Sequence, residues 1–177
     1  MRLVRFDAIT ARAYRDYVSE WEASAEAMIP VSSRPLNLAF EDRLAQWRLA
    51  ETDEAFTVGF VPNTVFFLAD ETGLLLGALS YRPRLNDRLR LNGGHLGFGI
   101  RPGHRRRGLG HWLLAHAVAT LPCLDAPGFL VTCDEDNLAS QRTIESCGGV
   151  LEDRFPFEAG WTRRYRLATS GPGPRRQ

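Results

Sequence analysis

The sequence predicts a single α/β domain built around a mixed sheet. Short β-rich segments alternate with helical segments, and antiparallel strand pairs are predicted near both ends of the chain. The sequence contains neither an internal repeat nor a linker long enough to separate two domains. With 177 residues, of which 44% are hydrophobic, the chain is able to bury one full core. We therefore place one domain over residues 1–168 and a disordered tail, rich in Gly, Pro and Arg, over residues 169–177.

The first third of the chain predicts a strand over residues 1–6 followed by two helices. The first helix runs from about Thr10 to Pro30, because apolar residues recur there at helical spacing. These residues are Tyr14, Tyr17, Val18, Trp21 and Met28. The second helix begins after Asn37, with two acidic residues in its first turn.

The remaining elements follow from apolar runs and turn residues. An antiparallel hairpin is predicted over Thr64–Asp70 and Leu74–Tyr81, joined by a Glu-Thr-Gly turn. The later strands are His95–Arg101, Phe129–Cys133, Val150–Phe155 and Thr162–Leu167. The later helical segments are Asn86–Leu91, Gly108–Leu121 and Asn137–Ser146.

The most informative segment is the loop between the strand His95–Arg101 and the helix that follows it. It reads I-R-P-G-H-R-R-R-G-L-G from Ile100 to Gly110. A glycine-bearing loop at a helix N-terminus offers free backbone N–H groups and the positive end of the helix dipole to an anion. Several arginines add positive charge, so a diphosphate is the ligand that this loop fits.

Two common phosphate-binding patterns do not match this loop. Leu109 and Gly110 stand where a Walker-type loop needs Lys and Ser or Thr, and Leu113 stands where a Rossmann fingerprint needs its third glycine. The pattern [R/Q]-x-x-G-x-[G/A] after a V/I-x-P strand end fits throughout. In this respect the chain resembles the GNAT superfamily of N-acetyltransferases, whose loop of this pattern binds the pyrophosphate of acetyl-CoA.

A second segment carries the same resemblance. The residues from Val131 to Gly149 are similar to the strand-to-helix segment of GNAT proteins, with the pattern N-x-x-[S/A] beginning at Asn137. Together with Asn86 and the glycine-rich run Gly93–Gly99, the likeness extends over roughly residues 30–168 and points to an uncharacterised predicted-acetyltransferase branch. It implies a mostly antiparallel sheet whose central strands splay apart and are flanked by helices.

The resemblance also implies where acetyl-CoA binds as co-substrate. The main chain of Phe98 and Ile100 would pair with the pantetheine arm. The diphosphate would be held by Arg105, Arg106, Arg107, Gly108, Leu109 and Gly110, with one or two of the arginine side chains touching phosphate. Asn137 would contact the cofactor arm through its amide, although its position also fits a plain helix N-cap.

The chemistry of acetyl transfer indicates which catalytic groups to look for in the sequence. Acetyl transfer needs a deprotonated amine and a proton for the leaving thiolate. Where many relatives carry a Glu base on the central strand, this stretch offers His95, which we predict as the catalytic base; Asp134, Glu135 or a water relay are the alternatives. The usual tyrosine acid is replaced by Ile144, and Cys147 is a substitute or a packing residue.

Composition limits the partners. A formal net charge of +1 argues against a general nucleic-acid binder, and no apolar run approaches the length of a membrane span. Three cysteines without C-x-x-C spacing argue against a zinc site or a disulfide framework and fit the cytoplasm. The acidic run before Asn137 does not fit a calcium loop, so we expect no metal.

These observations lead to one functional expectation with rivals. We expect a cytoplasmic N-acetyltransferase that moves acetyl from acetyl-CoA to a primary amine of a small molecule or peptide by direct attack. Binding to nucleic acid or membrane is not expected, and a homodimer is left open. The alternatives are a non-catalytic acyl-CoA-binding regulatory module, supported by the missing tyrosine, and a nucleic-acid-associated protein that uses His104–Arg107 and the arginine-rich tail.

Overall fold

A computed structural model describes residues 1–54, 60–125, 128–158 and 160–169. Within this part, the helices are α1 (Ala11–Ala23), α2 (Phe40–Ala50), α3 (Asp87–Leu91), α4 (Leu109–Thr120) and α5 (Leu138–Ser146). The strands are β1 (Arg2–Arg5), β2 (Thr64–Ala69), β3 (Leu75–Tyr81), β4 (Leu96–Ile100), β5 (Phe129–Asp134), β6 (Val150–Phe157) and β7 (Gly160–Leu167). The predicted tail, apart from residue 169, lies outside the described residues.

Strands β1, β2, β3 and β4 form one antiparallel sheet in that order. The β2–β3 turn is closed by Asp70, whose Oδ1 accepts hydrogen bonds from the N–H groups of Thr72 (2.8 Å) and Leu74 (3.0 Å). Gly73 follows in this turn with φ of +88°, a conformation that favours glycine. The predicted hairpin is therefore confirmed.

Strands β5, β7 and β6 form a second antiparallel sheet in which β7 lies in the middle. Strand β6 is largely exposed, and its charged side chains pair with β7: Glu152 with Arg166 at 2.9 Å, and Asp153 with Arg164. The predicted closing strand pair is confirmed, with each strand slightly longer than expected.

Within the described residues, the two sheets are joined by hydrogen bonds at a junction just before β4 begins. The N–H of His95 donates to Leu130 O (2.7 Å), and the N–H of Leu130 donates to His95 Nδ1 (2.8 Å). Beyond this junction, β4 pairs with β3 and β5 pairs with β7, so the central strands belong to separate sheets. The splayed centre implied by the resemblance is thus present.

Two hydrophobic clusters hold the helices against the sheets. One joins α1 and α2 to β2 and β3, through buried aromatic rings that include Tyr17, Trp21, Trp47 and Phe67. The other joins α4 and α5 to β4, β5 and β7, and its largest members include Leu96, Leu113, Phe129 and Tyr165. Burial of these side chains is the main stabilising contribution to the fold. Among the described residues, no helix is long and apolar enough to cross a membrane.

The first predicted helix is shorter in the structure than in the prediction. It begins as expected after Thr10, whose Oγ1 caps the N–H of Ala13 (3.1 Å), but it ends at Ala23 rather than near Pro30. Ser24 turns its hydroxyl back to Trp21 O (2.7 Å), and Ala25 adopts φ of +56°, which cannot continue a right-handed helix. Met28 is buried as predicted, but from the connection between α1 and α2.

Candidate active site

The loop before α4 presents a row of unpaired backbone N–H groups. A 3₁₀ turn over Pro102–His104 leads out of β4, and its N–H groups are used at His104 (to Arg101 O, 3.0 Å) and Arg105 (to Pro102 O, 3.4 Å). Within the described residues, every backbone N–H from Arg106 to His111 lacks a hydrogen-bond acceptor. Such a run at a helix N-terminus is able to donate hydrogen bonds to an anion.

Gly108 makes this site accessible. It is the N-cap of α4 with φ of +74°, and apart from its neighbours along the chain no described atom lies within 4 Å of the position that a Cβ would occupy. An anion is therefore able to approach the backbone here without meeting a side chain. The loop geometry agrees with the diphosphate site predicted from the glycine spacing.

The three consecutive arginines have different environments. Arg105 forms an ion pair with Glu26 (2.8 Å), donates from Nε to Ile100 O (3.1 Å) and lies over the ring of Trp21. Arg107 donates to Gly103 O (3.3 Å). Arg106 makes no ion pair within the described residues and is exposed, so it is the arginine with the greatest freedom to reach a phosphate.

The backbone of β4 offers a free edge opposite β3. Arg82 N–H donates to His95 O, and Arg101 N–H donates to Leu76 O, so the odd-numbered residues of β4 face β3. Because hydrogen-bonded and non-hydrogen-bonded pairs alternate in an antiparallel ladder, Phe98 and Ile100 turn their N–H and C=O groups away from β3. This orientation supports the predicted pairing of both residues with a pantetheine arm.

Asn137 caps α5 in the predicted way. Its Oδ1 accepts a hydrogen bond from the N–H of Ser140 (3.0 Å). Within the described residues its Nδ2 has no acceptor. The cap therefore occupies the oxygen and leaves the amide N–H groups for the cofactor contact that the resemblance implies.

A comparison with protein families decides the class of the chain. The model of the Acetyltransferase (GNAT) family matches residues 17–148, from within α1 to just beyond α5. The chain belongs to the GNAT acetyltransferase family. The protein is accordingly an acetyl-CoA-dependent N-acetyltransferase. Comparison with curated protein sequences finds no match.

Solved structures of GNAT acetyltransferases share this fold at low identity. A mutant of the spermidine N-acetyltransferase SpeG from Vibrio cholerae has 16% identity and a TM-score of 0.62, with 96% of each chain covered. The ribosomal-protein-S5-alanine acetyltransferase from Vibrio fischeri has 12% identity and a TM-score of 0.61, covering 96% of this chain and 92% of the other. The structure of yncA from Salmonella typhimurium with acetyl-CoA has 15% identity and a TM-score of 0.55, covering 97% and 95%.

In this acetyltransferase, His95 is a completely buried part of the junction between the sheets. Its Nδ1 accepts from Leu130 N–H, and its Nε2 lies 3.3 Å from Asp125 Oδ2 without the alignment of a hydrogen bond. Burial lowers the pKa of His95, and the nearby Asp125 carboxylate only partly opposes this. Its role as the base stays a prediction, but these contacts favour a structural role and leave no surface for direct contact with an amine.

The position of the usual tyrosine acid is occupied by Ile144, a residue of the hydrophobic core. Ile144 is completely buried and lies against Gly149. Cys147 is half-buried, with its Sγ 3.6 Å from His111 O, and burial raises the pKa of its thiol. A neutral, half-buried thiol at the end of α5 agrees better with a packing role than with proton delivery.

A cavity of about 620 Å³ lies beside the end of β5 and the β6–β7 turn. Its lining combines acidic side chains with aromatic rings: Asn92, Asp134, Glu135, Asp136, Phe157, Glu158, Gly160 and Trp161. Glu135 is bound by Arg154 (2.8 Å) and Arg163 (3.2 Å), and the Arg154 hydrogen bond lowers its pKa. Asp134, Asp136 and Glu158 make no ion pair with the described residues, so the cavity keeps a negative charge.

The sequence did not predict this cavity or the ion pairs of the loop before α4. The cavity is lined both by Asn92 and by the β6–β7 turn, and these two segments are far apart in the sequence. In the sequence, Arg101 is only the middle residue of the strand-end motif Ile-Arg-Pro. In the structure it is buried and forms ion pairs with two carboxylates of α1. The available signal was the acidic pair Asp16 and Glu20, one helical turn apart on α1.

Proposed function

We propose that this acetyltransferase transfers acetyl from acetyl-CoA to a primary amine of a small molecule or peptide by direct nucleophilic attack. The observation that carries the proposal is the row of unpaired N–H groups from Arg106 to His111 at the start of α4. Fixed backbone dipoles at a helix N-terminus bind a diphosphate without the cost of ordering flexible side chains.

The cofactor would lie in the opening between β4 and β5. Its diphosphate would bind the loop from Arg105 to Gly110, and its pantetheine arm would pair with Phe98 and Ile100. Ile100 O accepts a hydrogen bond from Arg105 Nε at 3.1 Å, and its second lone pair would accept from the arm. Nδ2 of Asn137 would donate to the arm at the start of α5.

The acceptor amine would bind in the acidic cavity. Asp134 to Asp136 directly precede Asn137, so the cavity adjoins the proposed position of the cofactor arm. An amine with a second positive charge fits best, because unpaired carboxylates attract the cation and Trp161 adds an aromatic face. We therefore expect a cationic small molecule or a basic peptide to be a better acceptor than an amine without a second charge.

Proton removal from the amine has two candidate routes. His95 is the base predicted from the sequence, but its burial restricts it to acting through water or through a movement of the junction. Asp134 lines the cavity, is exposed and makes no ion pair with the described residues. We therefore favour Asp134, directly or through water, and the thiolate would leave without a tyrosine donor because Ile144 is apolar.

An amine panel with acetyl-CoA tests the proposal. Release of free CoA thiol is measured with neutral amines, monoamines whose tails carry no charge, diamines and short basic peptides. We expect turnover with at least one class and the highest kcat/KM for acceptors with two positive charges. Asp136→Asn should raise KM for such acceptors, whereas Glu71→Gln, which removes one charge in the β2–β3 turn, should not.

The buried Ile144 supports one rival function, a non-catalytic acyl-CoA-binding module. Tight acetyl-CoA binding without CoA release across the whole panel would establish that rival. Turnover with equal efficiency for neutral and dicationic amines would instead keep the acetyl transfer but remove the acidic cavity as the acceptor site.

A further inference from the structure

The backbone at the start of the proposed cofactor loop, Ile100 to Gly110, is bound to α1 through the carboxylate of Glu20. Glu20 Oε1 accepts a hydrogen bond from the backbone N–H of Gly103 (2.7 Å), and Oε2 accepts from Nε of Arg101 (2.7 Å). These partners lie on either side of Pro102, at the point where β4 ends and the 3₁₀ turn begins. A single side chain from α1 therefore fixes both the strand end and the turn.

Arg101 is held in a buried position by this contact. Its side chain is 5% exposed and also donates from Nη1 to Asp16 Oδ2 (3.1 Å) and Leu75 O (3.0 Å). Burial raises the pKa of Glu20, but the hydrogen bonds from Arg101 and Gly103 outweigh it and lower the pKa below its usual value. Glu20 is therefore ionised at neutral pH, and both of its oxygens are occupied.

The turn that Glu20 holds sets the direction of the loop. After Gly103, the N–H groups of His104 and Arg105 close the turn onto Arg101 O and Pro102 O, and the unpaired N–H groups begin at the next residue. A Cβ at Gly103 would lie 3.1 Å from Glu20 Oε1, which shows how closely the carboxylate approaches the backbone.

We propose that Glu20 is a positioning residue for the cofactor loop, which it aligns for the diphosphate by fixing the peptide of Gly103. The inference rests on the proposed function, since it takes the loop as the diphosphate site. Glu20 itself does not touch the cofactor. Its contribution is to hold the donors in place before binding, so that the loop loses less conformational freedom when the diphosphate binds.

Asp16 supplies a matched control for this role. Both carboxylates lie on α1 and bind the same guanidinium, but only Glu20 also binds the loop backbone. We expect Glu20→Ala to weaken CoA and ADP binding by the same factor, about tenfold, as expected for the loss of an organising charged hydrogen bond. Asp16→Ala should change both affinities by less than about twofold.

The conservative variant separates hydrogen bonding from charge. Glu20→Gln keeps an oxygen that is able to accept from Gly103 N–H, so it should recover most of the CoA affinity lost in Glu20→Ala. In steady-state assays with a productive amine, Glu20→Ala should raise KM for acetyl-CoA with little change in kcat. Affinities are measured by calorimetry at a temperature where each variant is shown to be folded.

Removal of Glu20 leaves the buried guanidinium of Arg101 with one carboxylate partner instead of two, and this loss alone is able to destabilise the fold. If Glu20→Ala does not fold, the pair of double variants Glu20→Ala with Arg101→Met and Asp16→Ala with Arg101→Met replaces the single variants. Neither double variant contains the buried guanidinium, and only the first lacks the acceptor for Gly103 N–H. The first should bind CoA about tenfold more weakly than the second.

Equal affinities in the matched pair would overturn the role of Glu20. Failure of the underlying function has a separate signature: Gly108→Asp, which alters the loop directly, would then leave CoA binding unchanged. If Gly108→Asp weakens binding while Glu20→Ala does not, the diphosphate site stands and the positioning role is removed.

Discussion

Replacement of Gly108 by Asp addresses the diphosphate site most directly. The residue is the N-cap of α4, and open space surrounds the position of its missing Cβ, so a carboxylate is added without a steric clash. Gly73, in the β2–β3 turn, has a similar φ of +88° and the same open surroundings. Gly73→Asp is therefore a matched control for the effect of the backbone conformation.

The size of the effect follows from charge and strain. A left-handed conformation costs a non-glycine residue about 1–2 kcal/mol, which lowers the melting temperature by a few degrees in both variants. A carboxylate about 4 Å from a phosphate adds repulsion of about 1 kcal/mol in water and about 4 kcal/mol near a protein surface. Since residue 108 is exposed, we take about 1–2 kcal/mol, so CoA affinity falls about five- to thirtyfold in Gly108→Asp only.

Calorimetric titration with CoA and with ADP measures this difference, beside melting curves of both variants without ligand. We expect the two melting temperatures to agree within a few degrees, while only Gly108→Asp loses affinity. Gly108→Ala, which adds the Cβ without the charge, should bind nearly as well as the wild type. If Gly108→Asp binds CoA as tightly as Gly73→Asp does, the loop does not hold the diphosphate and the reasoning fails.

Three further outcomes are expected. CoA at a hundredfold excess over Kd should stabilise the protein by about 2.7 kcal/mol, ADP by less and adenosine hardly at all; equal melting shifts from CoA and adenosine would mean that base recognition dominates. Since burial lowers the pKa of His95, the unfolded state binds its proton first, and stability should fall as pH drops below the ordinary value of 6.5, by at most about 1.4 kcal/mol per pH unit. In urea unfolding, the stability of His95→Gln should fall less steeply with decreasing pH than that of the wild type. The acidic limb of its pH profile of kcat should be unchanged, and loss of that limb would show that His95 acts as the base. Ile144→Ala should lower the free energy of unfolding by about 2–5 kcal/mol, because it opens a cavity in a fully buried site; a loss below about 1 kcal/mol would contradict the packing role.

Local patterns were predictable where neighbouring residues decide the structure. The hairpin turn at Asp70 and the cap at Asn137 depend on contacts within a few residues, and each is present as expected. The end of α1 was misplaced because the apolar stripe continues to Met28, whereas Ser24 and Ala25 stop the helix. The prediction that Met28 is buried was right, because an apolar side chain packs into the core whether or not its backbone is helical.

The sequence by itself determined the fold class and the family and predicted the loop before α4 as the diphosphate site, because spacing along the chain encodes alternating elements and a glycine-bearing helix N-terminus. Only the tertiary structure decided what the charged and titratable side chains do. His95 meets Leu130 across 35 positions, and Glu20 meets Gly103 across 83. Contacts between residues this far apart in the sequence depend on how the two sheets and α1 pack against each other. The energy of an ionised or buried polar group depends on those partners, so its role cannot be read from its neighbours in sequence.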